Sequence, residues 1–154
     1  NFSGRMDNLR SSVLIPQLEE LDKKVTQWNK LYNVLNDNLK KQNGIFFPNR
    51  DSDEYFVGSS IQFRIDSLNN EQIKFFINNC KARGVELKWF GDEKPVAYTS
   101  RYDSWKYLDN IPRLANTLRI LAKTFDMRIP LTFTVQDCNI ISKIIIEELQ
   151  KVQN

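Results

Sequence analysis

The stretch from Trp89 to Tyr107 holds six aromatic residues (Trp89, Phe90, Tyr98, Tyr102, Trp105 and Tyr107) of a total made up of 10 Phe, 5 Tyr and 3 Trp. Lys88, Lys94, Arg101 and Lys106 are set among them. Rings interleaved with cations suit three purposes. Single-stranded nucleic acid stacks its bases on such rings while the cations meet its phosphates, although no ribonucleoprotein-type motif accompanies the run. A segment of this composition also completes a hydrophobic core. A third use is closure over a small molecule, for which Thr99, Ser100, Arg101, Tyr102 and Asp103 offer donors, acceptors and a guanidinium for anions.

Other candidate groups carry weaker chemistry. Asp51, Asp53 and Glu54 cluster ahead of a strand as a solvated acidic turn would, and Glu147-Glu148 is expected on the polar face of the last helix. Lys74, Lys81, Lys143 and Lys151 fall on polar helix faces, without the surroundings that turn an amine into a nucleophile. The chain has no histidine, which excludes Ser-His-Asp and Cys-His hydrolases and any His-ligated metal site. Cys80 and Cys138, far apart and in helix-like segments, read as reduced core thiols of a cytoplasmic protein. Five scattered glycines build no phosphate-cradling loop. With 22 basic against 19 acidic residues, the net charge of +3 is too small to imply nucleic acid or a membrane surface, and neither is expected as a partner. No apolar run approaches the ~20 residues of a spanning helix, and Asn1 to Met6 lacks the apolar stretch of a signal peptide.

The elements that must position these groups follow from periodicity. A chain of 154 residues suits one globular domain. Leu14, Leu18, Leu21, Val25, Trp28, Tyr32, Leu35 and Leu39 recur at steps of three and four, which predicts a helix over about 7–42. Pro16 should kink it or mark a restart, and Gly44 should stop it. Such a helix is ~50 Å long, more than the remaining chain can cover, so something else should pack against part of it. Residues 55–65 alternate as a half-buried strand, with Ile61, Phe63 and Ile65 on one face and Ser60, Gln62 and Arg64 on the other. Asn69 to Gln72 caps a helix carrying Ile73, Phe76, Ile77 and Cys80 inward, ended by Gly84. Val85, Leu87 and Trp89 alternate as a second strand. A helix from Asn110 is expected to turn Leu114, Leu118, Leu121 and Phe125 inward, followed by a short strand, Met127 to Ile129, and a last helix capped by Thr134 and Asp137. The order predicts an α+β fold: a long N-terminal helix, then a small, mainly antiparallel three-stranded sheet covered by helices.

Read as an ordered series, the chain resembles the C-terminal part of the DegT/DnrJ/StrS family of pyridoxal-phosphate-dependent sugar aminotransferases. Gly4-Arg5-Met6-Asp7-Asn8-Leu9-Arg10-Ser11-Ser12 with Pro16-Gln17-Leu18-Glu19-Glu20-Leu21-Asp22 is similar to the segment that opens the family's interdomain helix. Ile61-Gln62-Phe63-Arg64-Ile65, then Arg83-Gly84-Val85-Glu86-Leu87, match its small-domain strand and "Arg-Gly-Ile-Glu" run, and Phe125 to Thr134 its "Leu-Ser-Leu-Pro-Leu … Leu-Thr". The resemblance spans residues 4–150.

The resemblance implies the small-domain architecture of fold-type I aminotransferases, with 1–44 as interdomain helix and 45–154 as small C-terminal domain. It implies amino transfer to a keto-sugar or related substrate, with pyridoxal phosphate in the intact enzyme. The cofactor-bearing lysine of that family lies upstream in a large domain, so no catalytic residue, no cofactor and no activity are expected for these residues alone. The expected partners are that large domain and a second copy, as a homodimer. On the cofactor side, Ser3 falls where the family's Asn meets the cofactor phosphate of a dimer partner, with Asn1 two residues earlier, and Arg5 falls near the active site, where the alternatives are that it meets an anion or that it braces the helix start. Trp89, Ser100, Arg101 and Tyr102 fall in the substrate-facing segment, where they replace the family's aromatic-and-His pattern. The competing reading is a stand-alone module that binds a ligand or protein through the aromatic loop 89–107.

Overall fold

The computed structural model describes residues 6–94 and 109–153. Among the described residues, five helices and three strands follow one another: α1 (Asn8–Glu19), α2 (Leu21–Leu39), β1 (Ser60–Arg64), α3 (Asn70–Ala82), β2 (Lys88–Trp89), α4 (Ala115–Leu121), β3 (Thr124–Arg128) and α5 (Val135–Gln153). The three strands form one antiparallel sheet in the order β1-β3-β2, so the strand made last lies in the middle. The α+β class and the helix-covered antiparallel sheet expected from the sequence are what the structure has.

The helices cover one face of that sheet. Ile61, Phe63, Phe125, Met127 and Trp89 turn inward and are buried. Against them pack Leu31, Leu35 and Leu39 of α2, Ile73 and Phe76 of α3, and Ile145 and Leu149 of α5. Aromatic rings form the centre. Phe125 stacks on Phe63 at 5.5 Å and meets Phe76 edge-on at 5.7 Å, separations that add ring–ring attraction to plain burial.

Local signals start α3 and α5, and stop α3, as the sequence indicated. The Asn69 side chain accepts from Gln72 N, and the Gln72 side chain accepts from Asn69 N, both at 2.9 Å. These reciprocal bonds satisfy two of the amide groups left over at a helix start. Thr134 and Asp137 do the same for α5, at 3.2 and 2.8 Å. Gly84 follows α3 with φ +85°, a backbone conformation that side chains with a Cβ resist.

Two expectations are corrected. The single helix over 7–42 is two, broken at Glu20 rather than at Pro16, which lies inside α1. The division separates environments: α1 buries no residue, whereas α2 buries five. Leu31, Tyr32, Leu35 and Leu39 of α2 join the core shared with the sheet and α5, to which α1 contributes no residue. Phe125, expected on the inner face of a helix, belongs to the central strand. Thr124, Phe125, Asp126 and Met127 alternate between the two faces of the sheet, and this period of two overrides the accidental four-residue step from Leu121. The helix before it is correspondingly short and has no buried residue.

Candidate functional site

Among the described residues, the outer face of the sheet carries mostly polar side chains, with the Phe90 ring at its edge. The pairing register sets Gln62 beside Asp126 and Asp126 beside Lys88, and sets Ser60 beside Arg128. Gln62 Nε2 donates to Asp126 Oδ1 at 2.6 Å and to Ser60 Oγ at 2.7 Å. These bonds tie the amide to the carboxylate across two strands. Glu86, Lys88 and Phe90 alternate outward along the third strand and the residues before it. The Lys88 ammonium lies 4.8 Å from the Phe90 ring, within range of a cation–π attraction.

β2 pairs with β3 only at Lys88 and Trp89, and Phe90 N adds a bond to Thr124 O at 3.1 Å. Before Lys88 the ladder pairing between the two segments stops. The space between them is an open groove of about 820 Å³, polar where it borders Ser60, Gln62 and Asp126 and apolar where it reaches Met127, Phe133 and Ile141. Its volume lies in the range of small-molecule sites.

Trp89 is placed in the core, 7% exposed, and its indole N–H donates to Ala122 O at 3.0 Å. Gly91 lies directly on this ring: a Cβ there would come within 2.6 Å of the indole nitrogen and 2.8 Å of the Ala122 Cα. The other expected substrate-side residues, Ser100, Arg101 and Tyr102, and the expected cofactor-side residues, Asn1, Ser3 and Arg5, lie outside the described residues.

A second polar cluster ties α3 to α5. Arg83 donates to Glu147 at 2.8 Å and to Glu148 at 2.7 Å, and Lys151 reaches the same Glu148 oxygen at 2.7 Å. Glu148 is 1% exposed, which corrects its expected place on the polar face of α5. The Lys151 and Arg83 hydrogen bonds hold its carboxyl below the ordinary carboxylate range. Beside this cluster, burial raises the Cys80 thiol to about 12, so it stays protonated and unreactive at neutral pH. Cys138 is likewise buried and unpaired.

Pyridoxal phosphate requires a desolvated lysine amine and an acid for its ring nitrogen in one pocket. Among the described residues no lysine is buried, so they do not fit the cofactor by themselves. No group of three or more His, Cys, Asp or Glu side chains among them could hold a metal ion. No helix among them is long and apolar enough to cross a membrane.

The model of the DegT/DnrJ/EryC1/StrS aminotransferase family matches residues 1–145, nearly the whole chain. The chain belongs to that family. Among solved structures, this aminotransferase-family chain superposes on 3-amino-5-hydroxybenzoic acid synthase with a TM-score of 0.68 at 18% identity, a likeness of fold. The alignment takes in 88% of this chain and 36% of the synthase; the chain thus spans about a third of that relative's length. Comparison with curated protein sequences gave no match.

Proposed function

We propose that the chain is the interdomain helix (1–44) and small C-terminal domain (45–154) of a cytoplasmic, pyridoxal-phosphate-dependent aminotransferase that acts on a keto-sugar or related substrate. One observation carries this reading. The family match runs over residues 1–145, yet the same fold accounts for only 36% of the related synthase. In this reading the lysine that bears the cofactor belongs to a large domain encoded upstream. The cofactor, when bound, supplies the electron sink for amino transfer, and this chain closes the site from one side. Asn1, Ser3 and Arg5 contribute phosphate contacts. Ser100, Arg101 and Tyr102 contribute substrate contacts. The exposed apolar side chains of α1, among them Leu9, Val13, Ile15 and Leu18, are covered in the intact enzyme by the large domain and by a second copy.

The test is to read the gene upstream of the Asn1 codon and to express what it encodes. An in-frame large domain with a Ser-x-x-Lys cofactor segment is expected, and the joined protein should carry cofactor absorbance that the 154 residues lack. A start codon immediately before Asn1, or turnover of an amino acid by these residues unaided, overturns the reading.

A further inference from the structure

The turn that leads from α2 toward the sheet contains a chemically labile step. Asn43-Gly44 is the one Asn-Gly pair in the sequence. Asparagine is among the thermolabile residues, because the next backbone nitrogen can attack its side-chain amide carbon. A side chain on the following residue shields that nitrogen, and glycine has none. Every other asparagine with a successor is followed by a residue that carries a Cβ. Inside α2 and α3, after Asn33 and Asn78 for example, the following amide is also engaged in the helix.

The structure leaves Asn43 open to this attack. The residue is exposed. The bond it receives, from Gln42 Nε2 at 3.4 Å, goes to its main-chain oxygen, and among the described residues nothing binds its side-chain amide. Asn29 differs, since its amide is bonded at both ends, to Phe56 O and Gly58 N. On either side of the step, Gln42 N donates to Leu39 O and Ile45 N to Gln42 O, whereas Gly44 N has no acceptor among the described residues. The fold also asks for glycine here. Gly44 has φ +89°, and a Cβ on it would come within 3.3 Å of Gln153 Nε2. The residue that the turn requires is thus the one that makes the step labile.

We propose that Asn43 is a site of spontaneous deamidation and isoaspartate formation in the folded chain, with water as the co-reactant. The Gly44 nitrogen gives up its proton and bonds to Asn43 Cγ. The Cγ–Nδ2 bond breaks, and the amide nitrogen leaves as ammonia with that proton. Water then opens the cyclic imide. Addition at the Cγ carbonyl gives aspartate. Addition at the main-chain carbonyl gives isoaspartate, whose backbone runs through Cβ and Cγ and is longer by a methylene. That extra length falls between fixed points. Leu39 and Ile45 on either side are buried in the core, and Phe46 exchanges two backbone bonds with Arg64, at 2.8 and 2.7 Å. The isoaspartate form therefore loosens the Phe46–Arg64 bridge at the edge of β1. None of this depends on the amino-transfer reading.

Ageing of the 154-residue chain in mildly alkaline buffer tests the proposal, read by peptide mass mapping and by methyl transfer from an isoaspartyl carboxyl-methyltransferase. The peptide containing Asn43 should gain the mass of an amide-to-acid exchange before any other, and methyl acceptance should rise with it. Hydrogen-exchange protection at the Phe46 and Arg64 amides should fall about tenfold in the isoaspartate-bearing chain, the loss of one backbone hydrogen bond. Asn43→Gln, whose longer side chain cyclises slowly, should accept almost no methyl groups over the same period and keep its protection. Freshly purified Asn43→Asp adds the charge without lengthening the backbone, and should keep its protection as well. The proposal is overturned if another asparagine converts first, if Asn43→Gln accepts methyl groups as the unsubstituted chain does, or if Phe46 and Arg64 are equally protected in the isoaspartate form and in Asn43→Asp.

Discussion

Phe125 sits where the three helices and the middle strand converge, so shortening it tests the architecture and the placement of the outer-face groups together. Phe125→Ala removes a ring that is fully buried and in contact with two others, at 5.5 and 5.7 Å. A buried Phe→Ala change costs about 3–5 kcal/mol, including the cavity it leaves. Phe125→Leu keeps most of the volume and loses the ring–ring attraction, about 0.5–1.5 kcal/mol per pair, so a loss of about 2 kcal/mol is expected. For a chain of this size each kcal/mol moves the unfolding midpoint by roughly 2–4 °C, which places Phe125→Leu about 4–8 °C below the unsubstituted chain. Urea and thermal unfolding of Phe125→Leu, Phe63→Leu and the double variant close a cycle. It should return a coupling of about 1 kcal/mol, because the two rings touch across paired strands. Asp126 follows Phe125 and faces the opposite way, so its amide resonance should shift in Phe125→Ala. A loss below 1 kcal/mol for Phe125→Ala, or a cycle that is additive, would refute the assignment of Phe125 to the central strand of the core.

Other expectations follow from the same structure. Glu148 has a folded-state pKa held below its ordinary value by Lys151 and Arg83. Its stabilising contribution is therefore complete above the unfolded value and is lost as pH falls through the lower folded one. Acid unfolding at pH values below the ordinary glutamate value of 4.5 should accordingly be less steep in Glu148→Gln than in the unsubstituted chain, and identical slopes would disprove the link. Trp89→Phe strips the indole N–H from the Ala122 carbonyl and should cost about 1–2 kcal/mol in urea unfolding. The unpacked apolar surface of α1 should drive concentration-dependent self-association of the 154 residues. Light scattering should show it, and a Leu9→Lys/Leu18→Lys double substitution should abolish it; a monomer at high concentration counts against an interface there.

Much of the architecture was legible because local rules and tertiary packing agree. Ile61, Phe63 and Ile65 alternate in sequence and are buried in the structure. Val85, Leu87 and Trp89 keep their inward alternation even though only Lys88 and Trp89 are ladder-paired. The Asn69–Gln72 and Thr134–Asp137 caps need only three residues of separation to be recognised. What stayed hidden was long-range. Nothing in the residues states that β3 lies between β1 and β2, so Gln62, Asp126 and Lys88 could each be placed on an outward face but not in one row. The alternation of Ser60 and Gln62 with buried neighbours was the available signal. Glu148 was misplaced because its burial depends on Arg83 arriving from another helix. Phe125 was misplaced because its spacing fits a helix as well as a strand, and the neighbouring strands decide the matter.

The strand order also constrains how the chain can be made. Gln62 and Asp126, partners across β1 and β3, are 64 positions apart. When β1 and the residues of β2 leave the ribosome, the segment that must lie between them has not yet been translated. Two short ribbons with no common neighbour cannot hold a sheet, and the closing contacts are of the long-separation kind that slow folding. Truncated products that stop before Thr124 should be prey to proteases and chaperones, whereas those that reach the end of α5 contain every piece the sheet requires.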